Sequence, residues 1–129
     1  MDGFSDANVL SWQQEVAESK VLTVVYFWHE QCPWCLRFSP ILSDATTKYR
    51  EKIKFVRLNI LENEANQEIA STFGVLSTPT LMFFCQGRSV GQIIGAMTEE
   101  DLEKVFDDML ARHKQCLMQS TQLRPAYIV

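Results

Sequence analysis

No stretch of this chain approaches the run of about 18 apolar residues that a membrane-spanning helix needs. Basic residues are outnumbered, with 12 Lys and Arg against 16 Asp and Glu, a net charge of −4 and a pI near 5.1. That balance leaves no basic face for nucleic acid and no attraction to an anionic membrane surface. There is no phosphate loop and no dinucleotide fingerprint, so the chain is not expected to bind NADPH itself. Cysteine is scarce: four in 129 residues, at Cys32, Cys35, Cys85 and Cys116. A disulfide-stapled secreted scaffold would be shorter and richer in cysteine. The first residues, Met1-Asp2-Gly3-Phe4-Ser5-Asp6, are acidic and polar, whereas a signal peptide starts basic and turns apolar. A cytoplasmic chain is expected. No internal repeat and no linker interrupts it.

A 47% hydrophobic content is enough to build a core, and the length points to one domain. The expected division is a compact domain over residues 1–112 and a C-terminal tail over 113–129. Ser5 or Asp6 is placed to cap a first helix carrying Val9, Leu10, Trp12, Val16 and Ala17. The run Val21 to Trp28 shows no alternation and reads as a strand buried on both faces. A helix is expected from about Pro33 to Tyr49. Pro33 falls in its first turn, where proline is tolerated. Pro40 removes a hydrogen bond to the carbonyl of Leu36 and should kink the helix. Leu36, Ile41, Leu42 and Ala45 would pack on the sheet.

Ile53–Ile60 reads as a second strand and Glu62–Phe73 as a helix stopped by Gly74. Thr80–Cys85 and Ser89–Ile94 read as a hairpin around Gln86-Gly87-Arg88. Thr98 opens a last helix towards His113, with Leu102, Val105, Phe106, Met109 and Leu110 along one stripe. The order α-β-α-β-α-β-β-α implies a right-handed parallel crossover plus an antiparallel edge.

The chemistry gathers at Cys32-Pro33-Trp34-Cys35, between the buried strand and the long helix. Two thiols so spaced can close a small disulfide ring. The free N–H groups and the dipole of the helix start favour the Cys32 thiolate. Cys32 would attack a substrate disulfide, and Cys35, one turn inward, would resolve the mixed disulfide. His29 would favour the thiolate further if close and protonated; otherwise it is a solvated loop residue. A metal reading also exists, with His29, Cys32 and Cys35 as ligands and Cys116 or His113 completing a tetrahedron. Against it, there is no second CxxC.

Further residues make the case specific: Phe27-Trp28 before the cysteines, Pro40 after them, Phe73-Gly74-Val75, Thr78-Pro79-Thr80, Gly87 and Gly95. Over roughly residues 5 to 111 the chain resembles the thioredoxin superfamily. The resemblance implies a thioredoxin fold, an α/β architecture with a mixed four- or five-stranded sheet and helices on both faces. It implies a thiol–disulfide oxidoreductase with no cofactor beyond the Cys32–Cys35 disulfide. Protein disulfides would be its substrates, and a partner reductase or small thiol its electron source. The Thr78–Pro79 bond would be cis and lie beside the cysteines, the Thr78 backbone would pair with an extended substrate segment, and Gly95 would keep the groove open. Trp28 and Trp34 would line the contact surface. A monomer is expected. The alternatives are a metal or iron–sulfur binding protein and a non-catalytic thioredoxin-like interaction module.

The chain departs from the family pattern at several positions. Tyr26 stands where thioredoxins carry a buried aspartate that helps move the inner cysteine's proton. Arg57 replaces a lysine near that acid and so lacks its usual partner; Glu30 is a possible substitute, or a solvated residue. Pro33-Trp34 replaces Gly-Pro between the cysteines, and Gln31 replaces a tryptophan before them. The dipeptide tunes the redox potential. Outside the motif, Cys85 reads as a small buried apolar residue. Cys116 reads as an exposed tail thiol, either idle or available for an intermolecular or regulatory disulfide.

Overall fold

The computed structural model describes residues 3–114 and 116. A five-stranded sheet runs in the order β1-β3-β2-β4-β5. The strands are β1 (Ser5–Asp6), β2 (Thr23–Trp28), β3 (Lys54–Asn59), β4 (Thr80–Cys85) and β5 (Arg88–Ile94). The helices are α1 (Val9–Trp12, continued by a π-helical turn over Gln13–Ala17), α2 (Pro33–Thr46), α3 (Glu64–Thr72) and α4 (Glu99–Arg112).

Strand β2 is central, parallel to β3 and antiparallel to β4. Its side chains alternate between two cores. Val24 and Tyr26 enter one, with Phe38 and Leu42 of α2 and Leu102 and Phe106 of α4. Val25 and Phe27 enter the other, with Val16, Ala70 of α3, and Met82 and Phe84 of β4. Covering both faces explains why the sequence of β2 shows no polar alternation. The parallel β2–β3 pair joined through α2 and the antiparallel β4–β5 edge follow the expected topology. The hairpin turns at Gln86 and Gly87, both with positive φ (54° and 82°), as a tight two-residue turn requires.

Three details differ from the sequence reading. Ser5 and Asp6 do not cap α1. They form β1, paired in parallel with Val56 and Arg57 of β3, while Phe4 packs on Tyr26 and Phe55. The cap is Asn8, whose Oδ1 accepts from the N–H groups of Leu10 (2.8 Å) and Ser11 (3.2 Å). In return Ser11 Oγ accepts from the N–H of Asn8 at 3.1 Å, a reciprocal cap.

The buried stripe of α2 is Cys35, Phe38, Leu42 and Ala45. Leu36 faces solvent at 60% exposure, and Ile41 is exposed at the margin. Holding Cys35 inward sets the phase, because the stripe then advances by three and four residues from it. Despite Pro40, α2 continues without interruption to Thr46.

The third correction concerns Cys85 and Cys116, which are neither an isolated apolar residue nor an exposed thiol. Both are buried, and they form a disulfide with each other. The rest of the segment expected to be a tail from residue 117 onward, with Pro125 and Tyr127-Ile128-Val129, lies outside the described residues.

Candidate active site

The loop from the end of β2 delivers Cys32 to the start of α2 as its N-cap, with extended backbone angles (φ −95°, ψ 106°). Pro33 follows as the first helical residue, where its missing N–H costs no hydrogen bond. Cys32 and Cys35 form a disulfide with 5.2 Å between Cα atoms. The N–H of Cys35 donates to Cys32 Sγ at 3.1 Å, so one of the helix's unpaired N-terminal donors points at that sulfur. Cys32 is 6% exposed and Cys35 wholly buried. Of the two, only Cys32 has any exposure to solvent.

The Thr78–Pro79 peptide bond is cis. Pro79 is placed by β4, which begins at the next residue, and by the N–H of Gly95, which donates to its carbonyl at 2.8 Å. Trp34, Thr78, Pro79, Gly95 and Ala96 line a shallow groove of about 280 Å³. The structure thus brings together residues that are up to 62 positions apart in sequence, from Trp34 to Ala96. Gly95 has φ +92°, and a Cβ built on it would meet no atom within 4 Å. Its glycine is required by the backbone conformation, and the space above it is open. Trp34 is 58% exposed, with the Arg37 guanidinium 5.2 Å from its ring centre.

Trp28 is not among the groove residues. It stacks on Tyr26 with ring centres 6.5 Å apart, under the Arg57 guanidinium at 5.2 Å. Its Nε1 is buried with no hydrogen-bond partner. Arg57 does not lack a partner, as the sequence reading had it: it forms an ion pair with Asp6 of β1. Glu30 accepts from the Asn59 amide at 3.3 Å at a polar depression shared with Gln31, Leu61 and Glu62. His29 Nδ1 accepts from the N–H of Gln31 at 3.2 Å, which orders the loop before Cys32. Among the described residues there is no cluster of three or more His, Cys, Asp or Glu able to hold a metal ion.

Tyr26 lies beneath the inner cysteine. Its hydroxyl donates to the Cys35 carbonyl at 3.2 Å and lies 3.0 Å from Ser39 Oγ. Ser39 donates to the same carbonyl at 2.8 Å. Burial raises the Tyr26 pKa, outweighing the Ser39 hydrogen bond and the Arg57 charge, which both lower it. The phenol therefore stays protonated at neutral pH. Sequence reasoning did not find Ser39; its position one turn after Cys35, on the face of Tyr26, is visible only once α2 is placed.

Comparison with known proteins follows the same lines. The thioredoxin family matches residues 4–108. Thioredoxin 1 of Synechococcus elongatus is 33% identical over 100 residues, covering 78% of this chain and 91% of that protein. Thioredoxin of Alicyclobacillus acidocaldarius is 36% identical over 106 residues, covering 82% and 94%. The chloroplastic thioredoxin M4 of Arabidopsis thaliana is 33% identical over 99 residues, which is 77% of this chain and 50% of that protein.

Proposed function

The chain belongs to the thioredoxin family and is a thiol–disulfide oxidoreductase, and from that premise we propose how its residues divide the work. Cys32 is the nucleophile and Cys35 the resolving thiol. Trp34, Thr78, Pro79 and Gly95 receive the substrate, while Trp28, stacked on Tyr26 under Arg57, braces the end of β2 that leads to Cys32. Pro33, Pro40 and Tyr26 set the geometry and tuning of the helix start. The observation that carries this reading is the Cys32–Cys35 disulfide at the N-terminus of α2, with the N–H of Cys35 directed at Cys32 Sγ.

In the reducing direction, the Cys32 thiolate attacks one sulfur of a protein disulfide. A mixed disulfide forms and the other substrate sulfur leaves as a thiolate. Cys35, losing its proton, then attacks Cys32 Sγ, which closes the Cys32–Cys35 disulfide and releases the second substrate thiol. Two electrons pass to the substrate, and the oxidising direction reverses each step. The Cys35 proton goes to water, and Tyr26 stays a protonated phenol at neutral pH. Electrons come from a partner reductase or a small thiol, and no cofactor other than the disulfide takes part. The finer reading has the chain acting as a monomer, in the cytoplasm, with its activity within residues 1–112.

The test is reduction of a model protein disulfide by a small dithiol, with and without this protein. Acceleration at substoichiometric amounts is expected; a rate equal to that of the dithiol alone would overturn the assignment. The potential of the pair in a glutathione buffer then gives the direction. A value of about −270 mV marks a thioredoxin-like reductant, and one of about −120 mV an oxidant.

A further inference from the structure

A second pair of cysteines stands apart from the exchange site. Cys85 ends β4, the strand whose other end follows Pro79. Cys116 comes just after α4. They form a disulfide across 31 residues of sequence, enclosing the whole of β5 and α4. Cys85 is 5% exposed and Cys116 wholly buried. The groove lined by Pro79 and Gly95 lies elsewhere, and Cys85 is the last residue of a strand, with no helix N-terminus beginning at it.

We propose that Cys85–Cys116 is a second redox couple, a lock that fastens the segment just after α4 to the end of β4 and opens only under stronger reduction than Cys32–Cys35. Three observations carry it. Cys85 ends a strand and no helix N-terminus begins at it, so its thiolate gains none of the stabilisation that the N–H of Cys35 gives Cys32 Sγ. The loop they close contains α4, whose Leu102, Phe106 and Met109 fill the core beneath α2. Closing a loop of this length removes conformational freedom from the unfolded chain, and the fastened helix supports the one that carries Cys32.

Opening balances as an ordinary exchange. A thiolate of an external dithiol attacks the Cys85 sulfur, the bond between the two cysteines breaks, and Cys116 leaves and takes a proton. The donor's second thiolate then displaces Cys85, which is protonated in turn, and the donor departs as its disulfide. Two electrons and two protons enter the lock.

The experiment titrates the oxidised full chain with dithiothreitol. Exposed thiols are trapped by a mass-shifting maleimide, and the modified sites are assigned after proteolysis. Cys32 and Cys35 are expected to react first, and Cys85 and Cys116 only at higher reductant or after unfolding. Reactive Cys85 or Cys116 in the native oxidised protein, a dimer linked through Cys116, or joint titration of all four thiols would overturn the lock. Separately, the double substitution Cys85→Ala and Cys116→Ala avoids leaving an unpaired buried thiol. It is expected to lower Tm by about 10 °C while disulfide-reduction turnover stays within about twofold of the parent. An unchanged Tm would also overturn the proposal.

Discussion

The phenol of Tyr26, in the central strand, donates to the backbone carbonyl of Cys35, in the first turn of α2, at 3.2 Å. This bond links the sheet directly to the inner cysteine, at the position where the family carries a buried acid. Because burial raises its pKa, Tyr26 is protonated at neutral pH, and it is expected to orient the helix start without exchanging a proton. Tyr26→Phe should therefore cost about 1 kcal/mol of stability yet leave the shape of the pH–rate profile unchanged from neutral to mildly alkaline pH. A lost or shifted limb in that profile would show that Tyr26 does take part in proton transfer.

The division of labour between the cysteines predicts opposite behaviour for two substitutions. Cys32→Ser should abolish turnover and form no adduct. Cys35→Ser should accumulate a substrate-linked disulfide at Cys32, visible on a non-reducing gel and by mass. Adducts forming through Cys35 in the Cys32→Ser protein would reverse the assignment.

Trp34 presents an exposed aromatic face within the groove, and an aromatic at the centre of a contact surface typically carries more than 1 kcal/mol of binding. Trp34→Ala is expected to raise KM for a protein disulfide by roughly tenfold with kcat little changed. Turnover of a small disulfide, which has no surface to lay on Trp34, should not change. Equal losses on both substrates would mean that Trp34 acts on the cysteines and not on docking.

Gly95 adopts φ +92° with empty space where a side chain would begin. Gly95→Ala should cost about 1–2 kcal/mol through the backbone alone, read as a lower midpoint in denaturant. A stability equal to that of the parent would mean that the loop relaxes at no cost.

Tyr49 predicts a pH effect remote from the site. Its hydroxyl donates to Asp107 Oδ1 at 2.8 Å and to the Glu103 carbonyl at 3.2 Å. Burial, followed by the hydrogen bond to Asp107, pushes its pKa from 10.0 up to about 12. The folded state thus holds this proton more tightly than the unfolded state. The stabilisation is complete below pH 10 and is lost as the pH rises towards 12. Tyr49→Phe should lose about 2 kcal/mol at neutral pH and show a flatter decline above pH 10, measured by urea unfolding across that range.

Much of this arrangement was legible in the sequence because local signals and distant landmarks agreed. The unbroken apolar run of β2 announced a strand covered on both faces. Thr78-Pro79 and Gly95, far along the chain, read as parts of one groove with Trp34, and the fold does bring these residues to one groove. What escaped depended on tertiary contact. A strand of two residues has no periodicity to read, and Ser5 and Asp6 became β1 through Phe4 packing and the Asp6–Arg57 pair. The inward face of α2 was misjudged because Leu36 and Ile41 are apolar, yet the helix turns to bury Cys35 and Phe38 instead. Pairing of Cys85 with Cys116 had no local signature, since connectivity among cysteines is set by the fold and not by spacing.

Strand β4 has one further consequence. Its first residue, Thr80, pairs with Phe27 at the end of β2 that leads to Cys32, and its last is Cys85; five steps of about 3.3 Å set the two ends roughly 17 Å apart. Sulfur-to-sulfur exchange requires direct contact. Within a single molecule the strand therefore acts as a rigid insulator that prevents a short circuit between the two couples. With the proposed roles of the two pairs, the reducing equivalents of Cys32 and Cys35 are expected to go to a substrate and not to the chain's own second disulfide.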